Sequence, residues 1–223
     1  MLFRSHALEK SYYETDLNGK DGLIEKYNRV MALPDDQSDN KQRVRRVLDM
    51  FFPDASLKKN IQICDIGSGL GVFLSELIPE LENSEFENVR ATGIEPDPVA
   101  FEFLNDLSLF EVRSGLFPDV VHGELFDLIT LNKVLEHIEQ PLSLIESCSK
   151  HLVTSGGCYI EVPCITNAWL KEEGDDSLGC LHRNLYSIES VCRLLRLSGL
   201  TPVKAERISE PSGKISVYVY AKN

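Results

Sequence analysis

Three closely spaced glycines interrupt an apolar segment and are the most informative feature of the sequence. Residues 63–71 read Ile-Cys-Asp-Ile-Gly-Ser-Gly-Leu-Gly, and helical periodicity resumes after them. Because glycine lacks a Cβ atom, a ligand can approach this backbone closely, and the N–H groups of the following helix start can donate to a carboxylate. A dinucleotide-binding G-x-G-x-x-G pattern would need glycine at position 72, where Val72 stands. The loop predicts a cofactor site and disfavours NAD.

An acidic residue follows the next apolar run, which reads Gly-Ile-Glu-Pro over residues 93–96. If this run is a parallel strand, Glu95 stands at its carboxyl end, where open α/β sheets bind ligands. A carboxylate there can accept hydrogen bonds from two ribose hydroxyls. A glycine loop alone could be only a tight strand-to-helix turn, so the combination with Glu95 is the more specific signal.

The elements that position these residues can be predicted from the hydrophobic pattern. Short apolar runs alternate with helix-length amphipathic segments, and this alternation predicts an α/β fold with parallel strands. Strands are predicted at 61–66, 89–94, 109–113, 126–131 and 157–162, followed by two at about 200–208 and 215–221. The last two flank a connection too short for a crossover helix, so the final strand is predicted to be antiparallel.

The chain is expected to contain one catalytic domain preceded by an appendage. Residues 1–59 are polar at first and then show a helical pattern through Val44, Val47 and Phe51, which predicts a helical N-terminal appendage. Residues 60–223 form the predicted domain, with a polar insertion at 164–185 and an amphipathic helix at 187–198 stopped by Gly199.

Three motifs in order resemble class I S-adenosylmethionine-dependent methyltransferases, and the resemblance covers roughly residues 60 to 221. They are the glycine loop from Asp65 to Gly71, the acidic Glu95, and residues 126–138, Phe-Asp-Leu-Ile-Thr-Leu-Asn-Lys-Val-Leu-Glu-His-Ile. The resemblance implies a Rossmann-like methyltransferase fold: a mostly parallel seven-stranded sheet with an antiparallel last strand and helices on both faces.

The same resemblance implies S-adenosyl-L-methionine as cofactor. Gly67 and Gly69 would border its methionine portion, Asp65 would organise its ammonium through water, and Asn132 would lie beside the sulfonium. The predicted cofactor-binding residues are Asp65, Gly67, Ser68, Gly69, Gly71, Glu95, Pro96, Ser114, Gly115 and Asn132.

The sequence departs from the family pattern after the third predicted strand. Many members place Asp or Asn there to accept from the adenine amino group, but residues 112–117 read Val-Arg-Ser-Gly-Leu-Phe. Ser114, or the backbone of Gly115 and Leu116, is the predicted substitute.

Methyl transfer from a sulfonium is an in-line displacement, and a hydroxyl acceptor benefits from a base. His182 follows the fifth predicted strand and is the first candidate for that base, although it could instead fix the loop by hydrogen bonding. Glu161 could bind an acceptor hydroxyl or anchor a loop. Glu136 and His137 belong to the fourth-strand motif, where a structural role and a catalytic role are both open.

Composition excludes several classes of partner. Thirty-five acidic against 23 basic residues give a net charge of −12, which disfavours nucleic acid because phosphate binding draws on clustered Lys and Arg. The six cysteines form no CxxC pair, so reduced thiols and no metal site are expected. No stretch approaches the roughly 18 apolar residues of a membrane span, so we expect a cytosolic protein without membrane contact. The sequence makes no prediction of oligomeric state.

The acceptor is indicated only by a finer resemblance. Residues 39–44, the run at 160–163 and His182 look like bacterial methyltransferases often associated with sugar or surface-polysaccharide metabolism. This favours O-methylation of a small hydroxylated molecule such as a sugar or nucleotide sugar. An aromatic or quinone-like acceptor is the alternative, for which a more apolar segment than residues 171–176 would be expected. A non-catalytic S-adenosylmethionine-binding module is a third hypothesis, against which the intact glycines and Glu95 argue.

Overall fold

The structure, a computed structural model, describes residues 19–55, 60–84, 86–165 and 182–223. The chain divides into two compact units, one running to Glu124 and the other covering Leu125–Asn223. The strands are β1 (Asn60–Ile66), β2 (Asn88–Glu95), β3 (Glu111–Ser114), β4 (Phe126–Asn132), β5 (Leu152–Pro163), β6 (Thr201–Ser209) and β7 (Ile215–Lys222). The helices are α1 (Gly19–Met31), α2 (Asp39–Ala55), α3 (Val72–Glu82), α4 (Pro98–Leu107), α5 (Pro141–Lys150) and α6 (Ile188–Leu197), with a 3₁₀ turn at Leu135–His137.

The strands form one seven-stranded sheet in the order β3-β2-β1-β4-β5-β7-β6. In the first unit β1 pairs with β2 and β2 with β3, both in parallel. In the second unit β4 and β5 are parallel, whereas β7 is antiparallel to both β5 and β6. The predicted mostly parallel sheet with an antiparallel last strand is therefore confirmed.

The strands form where the sequence is most continuously apolar, because strands covered on both faces bury successive side chains. Ile63, Leu128, Ile160 and Val219 are fully buried, each on a different strand. The predicted strand positions hold to within two residues except at β5. That strand begins at Leu152 rather than 157, because it includes the polar residues Thr154 and Ser155, which interrupt the apolar pattern.

The helices before β1 pack within the first unit. Leu23 of α1 lies in one buried cluster with Leu70, Phe103 and Leu104, and the ring of Tyr27 meets that of Phe103 edge-on at 5.7 Å between centroids. The helical pattern predicted around Val44 and Phe51 is confirmed by α2, which buries both side chains. Leu70 follows the second glycine of the loop, so α1 and the glycine loop share one buried cluster. The predicted domain boundary at 59/60 stays a prediction.

Helix α6 matches the helix predicted at 187–198. Ser187 caps its start: the Ser187 hydroxyl accepts from the backbone N–H of Ser190, while the Ser190 hydroxyl accepts from the N–H of Ser187. This reciprocal capping fixes where the chain enters α6. Of the predicted insertion at 164–185, residues 166–181 lie outside the described residues.

Two further expectations concern the whole chain. Among the described helices, none combines the length and apolar character needed to cross a membrane. Five cysteines, at positions 64, 148, 158, 164 and 192, are buried and form no disulfide among the described residues; Cys180 lies outside those residues.

Candidate functional site

The glycine loop of the first unit turns sharply because its three glycines adopt left-handed backbone conformations, with φ of 71° at Gly67, 54° at Gly69 and 70° at Gly71. The backbone N–H groups of Gly67 and Ser68 both donate to the carbonyl of Ile94, at 2.8 and 3.1 Å. These bonds tie the loop after β1 to the carboxyl end of β2. The glycine loop and the end of β2 therefore lie at one edge of the sheet, as the sequence predicts.

Gly71 has a packing role that sequence reasoning missed. A Cβ atom at this position would lie 2.5 Å from Cδ2 of Leu104 and 2.9 Å from Cζ of Phe110. Gly93 on β2 is constrained in the same way, since its Cβ would lie 2.7 Å from Oγ of Ser68. Gly71 therefore lets α4 pack closely against the loop, and Gly93 lets the loop pack closely against β2. The predicted contact of Gly71 with a cofactor stays a prediction.

Glu95 is buried at the end of β2, with 5% of its surface exposed, and both of its carboxylate oxygens are engaged. Oε2 accepts from the N–H of Gly69 at 2.7 Å, and Oε1 accepts from the N–H of Asp97 at 2.8 Å. Burial raises the pKa of Glu95 to about 7, against the effect of these two hydrogen bonds. Each oxygen keeps a lone pair that could accept a ribose hydroxyl.

The segment after Glu95 is fixed by the start of α4. Pro96 is exposed, while Asp97 is buried and its Oδ1 accepts from the N–H groups of Val99 and Ala100 at 2.9 and 3.1 Å. Asp97 is thus an N-cap whose role is local. Pro96 is the residue of this pair that leaves its surface open to a ligand.

The residues predicted to replace the missing adenine-binding acid lie next to Glu95. Ser114 pairs with Glu95 across β2 and β3, and its side chain is exposed. The N–H of Gly115 donates to the carbonyl of Glu95 at 3.3 Å. Arg113 stiffens this region, because its guanidinium donates to Glu124 and to the carbonyl of Val120. Their role towards adenine stays a prediction.

Asp65 and Ser68 complete the predicted cofactor residues of the first unit. Asp65 is 1% exposed, and its backbone carbonyl accepts from the hydroxyl of Ser68 at 2.9 Å. This bond braces the turn between β1 and α3. The predicted water-mediated role of Asp65 stays a prediction.

In the second unit, β4 ends at Asn132, which is half-buried and pairs in register with Glu161 of β5. Lys133 follows with a left-handed backbone conformation, φ 58°, which turns the chain out of the strand. The backbone N–H of Lys133 donates to the carbonyl of Glu161 at 2.8 Å. The predicted place of Asn132 beside a sulfonium stays a prediction.

The segment that carries His182 is hydrogen-bonded to the 3₁₀ turn at Leu135–His137. The N–H groups of Arg183 and Asn184 donate to the carbonyl of Glu136 at 2.9 and 3.1 Å. The side-chain amide of Asn184 donates to the carbonyl of Ile138 at 2.6 Å. These bonds hold residues 182–184 against the turn, so His182 is positioned by backbone contacts far apart in sequence.

Glu136, His137 and His182 form one cluster, called the Glu136 cluster below. The two imidazole rings meet at 66° with centroids 4.9 Å apart. One ligand atom from each of the three side chains lies within 4.8 Å of the others. A carboxylate with two imidazoles can exchange protons, and the same donor set suits a divalent transition metal. The cluster therefore joins two residues predicted as catalytic, Glu136 and His182, with His137.

Glu136 is the unusual member of this cluster. It is 2% exposed, and its Oε2 makes no hydrogen bond among the described residues. Burial raises the pKa of Glu136 to about 7, and Glu161 adds to the rise, while Lys133 and His182 oppose it. A carboxyl group in this state can gain or lose a proton near neutral pH.

Glu161 belongs to a different, internal set of charges. It is fully buried, Tyr159 donates to its Oε2 at 2.6 Å, and Nζ of Lys133 lies 3.3 Å from its Oε1. Nζ of Lys133 also donates to buried Glu210 at 2.9 Å and contacts the hydroxyl of Ser216. These contacts make Glu161 an ion-pair partner of Lys133. Its predicted contact with an acceptor hydroxyl, and the alternative that it anchors a loop, both stay predictions. Sequence reasoning missed Lys133, although a lysine directly after an apolar strand was a visible signal.

Known proteins resemble this chain in sequence and in fold. A family profile described as methyltransferase domain matches residues 37–205, most of the chain. Ubiquinone biosynthesis O-methyltransferase of Actinobacillus pleuropneumoniae serotype 7 (strain AP76) is 33% identical over 106 residues, covering 43% of this chain and 42% of that protein. The chain thus spans about two fifths of the length of the curated relative it matches.

Solved structures also share the fold, among them two methyltransferases. Magnesium protoporphyrin IX methyltransferase from Synechocystis PCC 6803, with bound SAH, has a TM-score of 0.68 at 14% identity, covering 98% of this chain and 100% of its own. The N-methyltransferase NodS from Bradyrhizobium japonicum WM9, in complex with S-adenosyl-L-homocysteine, has a TM-score of 0.60 at 19% identity, covering 90% of this chain and 98% of its own. At these identities the likeness shows the fold. With the family match, it establishes that the chain belongs to the methyltransferase domain family, and the S-adenosylmethionine-dependent class predicted from its motifs is confirmed at the level of the family.

Proposed function

We propose that this chain transfers the methyl group of S-adenosylmethionine to a hydroxyl oxygen of a small polar acceptor such as a sugar or nucleotide sugar. The observation that carries the proposal is the Glu136 cluster, in which a buried carboxyl group with a pKa near neutrality lies beside two imidazoles. A hydroxyl must lose its proton during methyl transfer, and such a cluster can take it up. A cytosolic location also remains a proposal.

The residues of the first unit fit the cofactor. S-adenosylmethionine, when bound, supplies a methyl group on a sulfonium, which is already a good leaving group. Glu95 would hold the ribose, because its oxygens are fixed by Gly69 and Asp97 and keep lone pairs for two hydroxyls. The left-handed Gly67 and Gly69 would leave room for the methionine portion.

The residues of the second unit would handle the proton. We assign the base to His182, whose neutral imidazole accepts the proton of the acceptor hydroxyl. The imidazolium that forms is stabilised by Glu136, which interacts electrostatically with His182 in this cluster. His137 packs edge-on against His182 and limits the orientations of its ring. Glu136 is therefore the positioning and charge-balancing residue, and His182 the catalytic one.

A phenolic hydroxyl on an aromatic or quinone-like ring is the second candidate acceptor. The ubiquinone biosynthesis O-methyltransferase that matches 43% of the chain favours it. Both acceptors present a hydroxyl, so both use the same base, but a phenol is the more acidic and depends on the base less. Turnover should be measured with hexoses, nucleotide sugars and catechols as the acceptor panel.

The test uses His182→Ala with His122→Ala as a matched control, because His122 is an exposed histidine outside the cluster. With an active acceptor, His182→Ala should lower turnover by about 10²–10⁴-fold while affinity for S-adenosylhomocysteine stays unchanged. Added imidazole should restore part of the turnover of His182→Ala. The control should behave as wild type.

Two results would overturn parts of the proposal. Full turnover of His182→Ala, or a loss of turnover that imidazole does not restore, would assign His182 a structural role. Binding of S-adenosylhomocysteine without turnover on any hydroxylated acceptor would favour the non-catalytic module.

A further inference from the structure

The side chain of Asn184 adds a residue-specific bond to the backbone contacts that hold residues 182–186. Two backbone N–H groups of this segment donate to the carbonyl of Glu136, and every residue type except proline can make such bonds. Nδ2 of Asn184 donates to the carbonyl of Ile138 at 2.6 Å, which requires an amide donor at this position. Asn184 is half-buried, so this bond is partly shielded from water.

The bond from Asn184 joins the two chain segments that carry the imidazole rings of the Glu136 cluster. Asn184 is two residues after His182, and Ile138 is the residue after His137. The ring centroids of the two histidines are 4.9 Å apart. Both histidines are half-buried, so burial alone does not fix their rings. The distance between the two segments therefore depends on the bonds between them, and Asn184 supplies one of these from its side chain.

The chemistry proposed for His182 depends on its position in two ways. A general base must lie within hydrogen-bond reach of the proton that it removes, and a misplacement of about 1 Å can lower a rate about a hundredfold. The attraction between an imidazolium at His182 and the ionised form of Glu136 also falls as the two groups separate. A residue that fixes His182 against the turn therefore affects both proton transfer and charge balance.

We propose that Asn184 is a second positioning residue, whose bond to the carbonyl of Ile138 holds the ring of His182 against His137 and beside Glu136. Asn184 acts through His182 and not on the acceptor or the cofactor. The placement of the ring rests on the contacts of Asn184 alone. The effect on turnover rests on the proposed function, in which His182 is the base.

Nuclear Overhauser effects between histidine ring protons test the placement without a substrate. Wild type should show such an effect between His137 and His182. Asn184→Leu has a similar volume but no donor, and it should lose most of this effect. Asn184→Gln keeps an amide donor on a side chain longer by one methylene and should restore part of it. Asn184→Asp also lacks a donor and replaces the leucine variant if that variant does not fold.

Tyr186→Phe is the matched control, because it removes the other side-chain bond between the same two segments. The hydroxyl of Tyr186 donates to the carbonyl of Leu135 at 3.3 Å, and its ring is buried. The phenylalanine ring can fill the same space. This variant should keep the wild-type effect between His137 and His182.

With an active hydroxylated acceptor, a double-mutant cycle tests the effect on turnover. Asn184→Leu should lower kcat by about tenfold to a hundredfold, while affinity for S-adenosylhomocysteine stays unchanged. In the His182→Ala background the same substitution should lower kcat no further, because the residue through which Asn184 acts is gone. A purely structural role would instead lower kcat in both backgrounds.

Three results would overturn the inference: an unchanged ring contact in Asn184→Leu, an equal loss of that contact in Tyr186→Phe, or independent losses of kcat in the double variant. Failure of the proposed function looks different. In that case wild type methylates no hydroxylated acceptor, or His182→Ala keeps full turnover. The ring contact then still decides whether Asn184 positions His182.

Discussion

Cofactor binding should depend on pH through Glu95. This carboxyl group is 5% exposed, and burial raises its pKa to about 7. Ribose hydroxyls donate to the ionised form, so binding favours loss of the proton. Affinity for S-adenosylhomocysteine should be constant above about pH 7.5 and fall as the pH drops through 7. At pH 5.5, about 1.5 units below the pKa, roughly 3% of Glu95 is ionised. The apparent affinity should then be up to about 30-fold weaker.

Calorimetric titrations of S-adenosylhomocysteine between pH 5.5 and 8.5 measure this effect. Glu95→Gln carries no ionisable group and should show almost no change across that range. At pH 8, Glu95→Ala should lose roughly 2–4 kcal/mol of binding free energy through two charge-assisted hydrogen bonds, and Glu95→Gln should lose less. Glu102→Gln is the matched control, because Glu102 is an exposed glutamate on α4.

Two results would refute this reasoning. If Glu95→Gln kept the pH dependence of wild type, another group would control binding. Equal affinities of wild type and Glu95→Ala at pH 8 would remove Glu95 from the cofactor site altogether.

Two further substitutions test the glycine loop and the Glu136 cluster. Gly69→Val should abolish binding of S-adenosylhomocysteine, because its φ of 54° strains a β-branched residue within the proposed cofactor loop. Gly213→Val brings the same kind of backbone strain, at φ 84°, into the turn between β6 and β7 and should bind normally. Normal binding by a folded Gly69→Val would contradict the placement of the cofactor. Glu136 has a folded-state pKa raised to about 7 from 4.5, so its contribution to the free energy of unfolding should be lost as the pH rises from 4.5 through 7, by up to about 3 kcal/mol. In urea unfolding, the free energy of unfolding of Glu136→Gln minus that of wild type should therefore be larger at pH 8 than at pH 5. An equal difference at the two pH values would contradict the raised pKa.

The sequence predicted those parts of the fold that depend on local pattern. Strand β1, the glycine loop and Glu95 follow one another within about 35 residues, and each has its own signal: an apolar run, glycines that permit left-handed turns, or an acid at a strand end. The start of β5 was missed because Thr154 and Ser155 are polar and exposed. Pairing of Leu152 with Phe126 extends the strand there, and a pairing partner leaves no mark in a local pattern.

The Glu136 cluster could be predicted only in its parts. His137 and His182 are 45 positions apart in the sequence, and the segment carrying His182 is held by N–H groups that donate to the carbonyl of Glu136. Almost every residue carries the same backbone groups, so the residue types in a sequence do not indicate such contacts. The hydrogen bond from Asn184 to Ile138 escaped the sequence for a related reason, since its partners lie 46 positions apart.

Lys133 interacts with all three buried glutamates of the second unit, Glu136, Glu161 and Glu210. Its ammonium lies 3.3 Å from Glu161 and 2.9 Å from Glu210, which compensates the charges of these two carboxylates directly. Lys133 favours the charged form of Glu136 too, but burial outweighs this effect and leaves its pKa at about 7. The Glu136 carboxyl group can therefore gain or lose a proton near neutral pH. Under the proposed mechanism, a proton arriving on His182 makes the ionised form of Glu136 more favourable, because opposite charges then face each other. Proton uptake by His182 and ionisation of Glu136 should thus be coupled.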